Sequence, residues 1–517
     1  MIKEFNFRIT PERIHDHGHL ERLVMSHMTH GKLNHVEILK KSIDARKRDI
    51  VYQLKVAAYI DEEFIPPGHY YTPQSVSGSE EVCIIGAGPA GYFAALKLIE
   101  LGLKPVIFER GKDVRSRRRD LVRIHRDHIV NENSNYCFGE GGAGTYSDGK
   151  LYTRSKKRGD VQKVLEWFVH FGAERGILTE AHPHIGTNRL PAIIAAMRDA
   201  ILSAGGEIHF DARVTDLKTD DVKILGIEWN GKEHRKFDRV ILATGHSARD
   251  IFYLLDQKKI RLEAKPFALG VRIEHPQSLI DQIQYHGRCS DEFLPPASYS
   301  LVGQEAGRGV YSFCMCPGGI IAPCATLPGE VVTNAWSPSK RNNPYANSGM
   351  VVEILPEDLG AFGDIKDPLI CLKFQKNIEQ LCCAAAGGSQ KVPAQRLLDF
   401  LDGKVSGDLP VTSYQPGLTS VDLNRVLPDF ITRRLRAALK AFGGKMKGFL
   451  TNEAVLHAPE SRTSSPIRIP RITETLEHPE IRGLYPCGEG AGYAGGIVSA
   501  AIDGMNIVQS IYATSRK

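Results

Sequence analysis

The sequence predicts an α/β protein. A parallel sheet is assembled from the first half and the far end of the chain, a mixed α+β region is inserted between them, and a small α+β module stands in front. Three observations lead there. Residues 80–111, EEVCIIGAGPAGYFAALKLIELGLKPVIFERG, read as strand, glycine turn, amphipathic helix and second strand. Residues 237–250, FDRVILATGHSARD, are a short apolar run ending in a glycine turn. Residues 483–504, GLYPCGEGAGYAGGIVSAAIDG, repeat that pattern and continue as a helix. A chain of 517 residues is also too long for one compact core, so several domains are expected.

Residues 1–75 read as the front module. EFNFRIT alternates as a strand, a helical stretch runs to about residue 30, and DIVYQLKVAAYI (49–60) alternates again. PPGHYYTPQSVSGSE then forms a Pro/Gly/Ser-rich link. HDHGH, with His15, His17 and His19, reads as a solvated loop before a helix, and no metal site is predicted. Two basic runs, KKSIDARKRD (40–49) and VRSRRRDLVRIHRDH (114–128), read as solvated faces of connecting segments. No aromatic residues interleave them, which argues against nucleic acid as a partner.

Residues 76–261 carry the first part of the parallel sheet. In its GxGxxG turn, Gly86 permits the tight bend, Gly88 lets a pyrophosphate approach the backbone, and Gly91 lets helix and strand pack closely. Pro89 and Ala90 open the helix, whose free N–H groups and positive end would face phosphates. Glu109, followed by Arg110, lies 18 residues beyond Gly91, where an acid accepts hydrogen bonds from an adenosine ribose. CFGEGGAGTYSDGKL (137–151) has five glycines in fifteen residues but follows no apolar strand, so it is not an independent nucleotide loop. Residues 262–445 leave the parallel-sheet pattern, with strand-like stretches and two helices near 370–385 and 428–442. Residues 446–517 return to it.

With the 483–504 segment in view, the chain resembles flavoproteins of the glutathione-reductase-like fold, and among them the succinate dehydrogenase and fumarate reductase branch. The resemblance implies a Rossmann-like domain that binds FAD non-covalently, with residues 262–445 as a substrate domain over the flavin. It places Gly488 and Glu489 at the ribityl–pyrophosphate region, and Gly495, Gly496 and Ile497 at the flavin ring. Ala243, Thr244 and Gly245 become a turn touching the cofactor, and Val214 flanks the adenine. Gly141, Gly142, Gly144 and Thr145 wrap the middle of FAD. On FGEGGAGTYSDGKL, HPHIGTNRL (182–190), ATGHSARD, YSFCMCPGG (311–319) and GEGAGYAGGI, the chain resembles a narrower bacterial family of FAD-dependent dehydrogenases without an assigned substrate.

That resemblance implies hydride transfer between a small-molecule substrate and flavin N5. His184, Arg189 and His246 adjoin the cofactor segments and are the candidate proton carriers or anion clamps. No second GxGxxG follows a strand, so NAD(P)H could act only as a transient electron donor. An FAD-dependent tRNA-modifying enzyme and a non-catalytic flavin redox sensor are the alternatives. Ten cysteines show no CxxC or CxxxxC spacing, and Cys314 and Cys316 read as small buried residues. The net charge of +6 is mild. With no apolar leader and no membrane-length apolar run, the sequence predicts a cytoplasmic protein without a membrane partner.

Overall fold

The computed structural model describes residues 1–515 apart from 67, 154–158, 221 and 289–291. Cys289, one of the ten cysteines, lies outside the described residues. The architecture is mixed α/β, around a five-stranded parallel sheet ordered Leu484–Pro486, Val240–Leu242, Glu81–Ile85, Lys104–Phe108 and Glu207–His209. Each of its five strands is separated from a sheet neighbour by a long stretch of chain, and the last to be made, Leu484–Pro486, closes one edge. Val82 to Ile85 are buried on both faces, which is why the strand is a continuous apolar run and does not alternate. A three-stranded antiparallel meander, Val214–Thr219, Ile224–Trp229 and Glu233–Lys236, interrupts the parallel order before Val240.

Two helices cover one face of this sheet, Pro89–Glu100 and Ile497–Ser515. They approach so closely that a Cβ on Gly504 would stand 2.2 Å from the Ala90 carbonyl oxygen. The first and the last helix of the domain are thus locked together although 400 residues separate their starts, about the whole length of the intervening chain.

The inserted region is a seven-stranded sheet centred on Phe267–Pro276, which pairs antiparallel with Tyr345–Ile354 on one side and Val455–Glu460 on the other. Helices Ile370–Ala385 and Asp429–Lys445 pack against it. The boundary expected at residue 445 is corrected by this pairing. Val455–Glu460 lies in the centre of the inserted sheet, and Phe449, Leu456 and Ala458 belong to its core. A strand buried on both faces carries no mark of which sheet it joins.

The front module also differs from expectation. Leu33–Asp44 is a 12-residue strand, pairing with the central Val51–Ile60, and it takes in the first half of the basic run 40–49. Phe7, Leu54, Val56 and Ile60 join the same continuous apolar core as Leu269, Ile273 and Val352 of the inserted sheet. Tyr52 donates its hydroxyl to the Phe293 carbonyl at 2.8 Å, and Arg288 pairs with Glu12 at 2.8 Å. The module is therefore packed onto the insert and is not an appendage. Among the described residues, no helix is long and apolar enough to cross a membrane.

Candidate functional site

The carboxyl ends of the parallel strands open into a cavity of about 280 Å³, roofed by the inserted sheet. From the parallel-sheet side it is lined by Gly86, Gly88, Pro89, Ala90, Glu109, Arg110, Gly142, Gly144, Val214, Ala243, Thr244, Gly245, His246, Glu489, Gly495, Gly496 and Ile497. The other wall includes Phe313, Cys314, Asn334, Ala335, Arg462 and Thr463. The N-termini of the Pro89–Glu100 and Ile497–Ser515 helices both reach this space, so two positive dipole ends face it.

The glycines fall into two physical classes. Gly86 has φ +106°, and a Cβ there would lie 2.5 Å from the Ala243 carbonyl oxygen. A Cβ on Gly91 would lie 2.0 Å from the Gly86 oxygen, so this glycine serves helix–strand contact. Gly88 and Gly495 are different. Neither has a positive φ, and the space beside them is open except for Gly142 Cα at 3.9 Å from a Cβ on Gly88. Protein packing gives no reason for a missing side chain at these two positions; the cavity does.

Glu109 already has protein partners. Its Oε1 accepts from the Gly111 and Gly139 N–H groups and its Oε2 from Ala87 N–H, each at 2.9 Å. The carboxylate thus ties the GxGxxG turn to the glycine loop, and Glu109 also lines the cavity. Arg110 is stacked on Phe138, its guanidinium carbon 4.1 Å from the ring centre, and pairs with Asp250 at 2.9 Å.

The 137–151 loop is held rigidly by a residue the sequence reading placed in solvent. Arg117 is fully buried beneath it and donates to the carbonyls of Asn135, Tyr136, Glu140 and Gly142 at 2.7–2.9 Å. Glu140, also fully buried, accepts from the Tyr92 hydroxyl, the Val114 N–H and Arg198. The signal was present: Val114, Arg117, Leu121 and Ile124 share one helix face at spacings of three and four, and all are buried.

Several expected positions stand elsewhere. Gly91, Gly141, Thr145 and Gly488 lie behind the cavity wall; Thr145 spends its hydroxyl on the Glu140 carbonyl, 2.8 Å away. Gly144 lines the cavity, yet a Cβ there would first meet Ile497 Cγ1 at 3.3 Å and Pro89 Cγ at 3.4 Å. Its glycine therefore also serves contact between two site segments. Arg189 pairs with Glu174 at 2.9 Å with half its side chain exposed, and His184 sits 3.1 Å from the Ser339 carbonyl. Neither reaches the cavity, because the segment 182–190 runs under the Ser337–Ser339 turn. Of the three catalytic candidates only His246 is on the wall. It faces Glu489, whose carboxyl is pushed up by burial and pulled back by His246 and Lys265.

A buried charge network clamps the roof. Arg249 donates to Glu330 at 2.9 Å, Gln375 at 3.1 Å and Glu379 at 2.7 Å; Arg462 donates to Glu379 at 3.0 Å and to the Thr326 hydroxyl. These pairs join the end of the parallel-sheet segment to three parts of the insert. The two guanidinium groups overcome burial and hold Glu379 at about 2, whereas burial raises Glu330. Arg462 and Asn334 were not anticipated, since no motif surrounds them, and Phe313, within the 311–319 segment, was not singled out.

The inserted sheet defines a class: residues 266–463 match the family described as "FAD-dependent protein, C-terminal domain-like". Residues 1–59 match a domain of unknown function, DUF8436. An uncharacterized protein of Clostridium beijerinckii is 38% identical over 504 residues, which cover 94% of this chain and 93% of that one. The chain belongs to the family of that protein. Among solved structures, halogenase PltM is 11% identical with TM-score 0.37, covering 85% of this chain and 70% of its own. A geranylgeranyl bacteriochlorophyll reductase-like protein of Thermoplasma acidophilum is 14% identical with TM-score 0.33, covering 85% and 80%. Glycine oxidase of Bacillus cereus is 13% identical with TM-score 0.30, covering 85% and 96%. Likeness at that distance decides neither fold nor ligand.

Proposed function

We propose that the protein is an FAD-dependent oxidoreductase of the glutathione-reductase-like, fumarate-reductase-like branch, holding FAD non-covalently in this cavity. The observation that carries the reading is the pair of open glycines, Gly88 and Gly495, each at the mouth of a helix whose N-terminus faces the same space. Two anion- or dipole-seeking ends 400 residues apart in sequence, both bared for close approach, suit an extended ligand with a pyrophosphate and a reducible ring. Bound there, flavin supplies two-electron transfer at N5.

The chain's own groups then have these tasks. Gly86 and Gly88 bare the backbone for the pyrophosphate, and Glu109 Oε2 accepts from a ribose hydroxyl. Val214 and the Ala243–Gly245 turn flank the adenosine side. Gly142 and Gly144 close over the middle, and Gly495, Gly496 and Ile497 present the second helix end. Glu489 and His246 hold and move a proton at the cavity wall, and Arg462 offers a cation from the roof. A small-molecule substrate enters between the roof and the parallel-sheet wall, and NAD(P)H, if used, docks transiently.

The test is the colour of the purified protein and the identity of what heat releases from it. FAD by mass and chromatography is the expected result. FMN, or colourless protein that takes up no FAD on reconstitution, overturns the reading.

A further inference from the structure

Cys316 is buried, as the sequence suggests, but Cys314 is partly exposed. The strand Arg308–Cys316 pairs Phe313 with Gly349 and Cys316 with Asn347, so Cys314 and Met315 oppose Ser348 alone and the strand carries a bulge at this point. Cys314 takes the strain with φ +45°, a left-handed conformation uncommon outside glycine and asparagine. The bulge turns both sulfurs onto one cation. Lys150 Nζ lies 3.6 Å from Cys314 Sγ and 3.1 Å from Cys316 Sγ. The lysine is itself held by Asp148 at 3.2 Å, which Arg341 anchors at 2.6 Å.

The two thiols differ in access. Cys314 lines the cavity and is partly exposed, whereas Cys316 is fully buried and donates toward the Cys314 carbonyl at 3.4 Å. An accessible sulfur beside a cation, backed by a second buried sulfur, is the arrangement thiol–disulfide exchange requires.

We infer that Cys314 and Cys316 form a redox-active dithiol in which Cys314 attacks a low-molecular-weight disulfide and Cys316 resolves the product. In the first step the Cys314 thiolate forms a bond to one substrate sulfur, the substrate S–S bond breaks, and one thiolate leaves. In the second, Cys316 gives up its proton to that thiolate and attacks Cys314 Sγ, releasing the other half of the substrate. The protein pair has then lost two electrons and become a disulfide, and the substrate has become one thiol and one thiolate, which takes its proton from solvent. Only the return to the dithiol, which needs an electron pair from reduced flavin, rests on the flavin reading above.

The charges around Cys314 agree. The Cys316 hydrogen bond, then Lys150 and Arg272, hold its thiol well below the ordinary thiol range against burial and Asp148, while Glu460 and Glu489 are the other carboxyls facing it. Cys316 is pushed up, by the bond to Cys314 and by burial.

The experiment uses the full chain, reduced and freed of reductant, then exposed to one equivalent of oxidised glutathione and mapped by mass spectrometry after alkylation. A Cys314–Cys316 bridge with two equivalents of glutathione released is expected. Cys316→Ser should accumulate glutathione on Cys314, and Lys150→Met should slow iodoacetamide labelling of Cys314 at neutral pH about tenfold and move its pH midpoint upward. A wild-type map with no bridge, or an adduct confined to Cys137, overturns the proposal without needing any variant. Labelling unchanged by Lys150→Met also overturns it as written. Flavin is assayed on the same sample. Bridge formation in protein that binds no FAD refutes the flavin reading alone, and bound FAD without a bridge refutes the dithiol alone.

Discussion

The two walls of the cavity are made in opposite ways. On the parallel-sheet side the backbone does the work, through glycines, helix N-termini and a carboxylate whose first duty is to three N–H groups. On the inserted side the work falls to side chains, Phe313, Cys314, Asn334 and Arg462, kept in place by buried ion pairs that join residues 81 to 130 positions apart. Backbone recognition needs contiguous turns and leaves a short motif. Side-chain recognition needs only that distant positions converge, and it leaves none.

The contrast can be broken most severely at Gly91. Valine there puts a Cβ 2.0 Å from the Gly86 oxygen, where both partners are backbone and neither can yield. Expression should give no folded protein, a loss of more than about 3 kcal/mol. A soluble Gly91→Val protein with normal circular dichroism would show that the helix and strand are not locked as described.

On the roof, Glu379→Ala strands Arg249 and Arg462 without their shared acceptor. We expect about 3–5 kcal/mol of destabilisation by urea unfolding, because two buried cations are left to share Glu330. A loss under about 1 kcal/mol would mean water reaches the pair.

A pH profile sharpens the picture within the insert. Glu274 is buried, and burial raises its carboxyl to about 7 despite hydrogen bonds from Ser413. The folded state therefore holds its proton more tightly than the unfolded chain. That contribution is complete below the ordinary value of 4.5 and is lost as pH rises through about 7. Across this window Glu274→Gln should lose about 3 kcal/mol less stability than wild type. Parallel stability curves for the two proteins would be the contrary outcome.

The smallest effect on folding is predicted at Gly88. Alanine meets only open space there, so apo-protein stability should change by less than about 1 kcal/mol. FAD affinity should nevertheless fall tenfold or more, about 1.4 kcal/mol. Titration of apo-protein with FAD measures it, and unchanged affinity in Gly88→Ala would remove the reason offered for that glycine.

What the sequence made legible follows the same division. The strand Glu81–Ile85, the turn glycines, the helix from Pro89 and the returning helix at Ile497 could all be read, because each is specified by neighbours in the chain. Arg117 was missed because three other arginines in the run 115–119 dominate the composition, and only its spacing to Leu121 and Ile124 marks it as buried. Val455–Glu460 was assigned to the wrong sheet, since a buried strand carries no mark of its partner. His184 and Arg189 were proposed on nearness in sequence to cofactor segments, which the turn at Ser339 converts into distance from the cavity.

The shared core of the front module and the insert has a consequence for synthesis. Strands Ile2–Ile9 and Val51–Ile60 leave the ribosome more than two hundred residues before Phe267–Pro276, the strand whose apolar face completes their core. A nascent chain of this protein must carry an uncovered sheet while roughly two hundred further residues are made. Any ribosome-bound chaperone would find its first client surface there, and slowing elongation before residue 267 should lengthen that exposure and lower soluble yield.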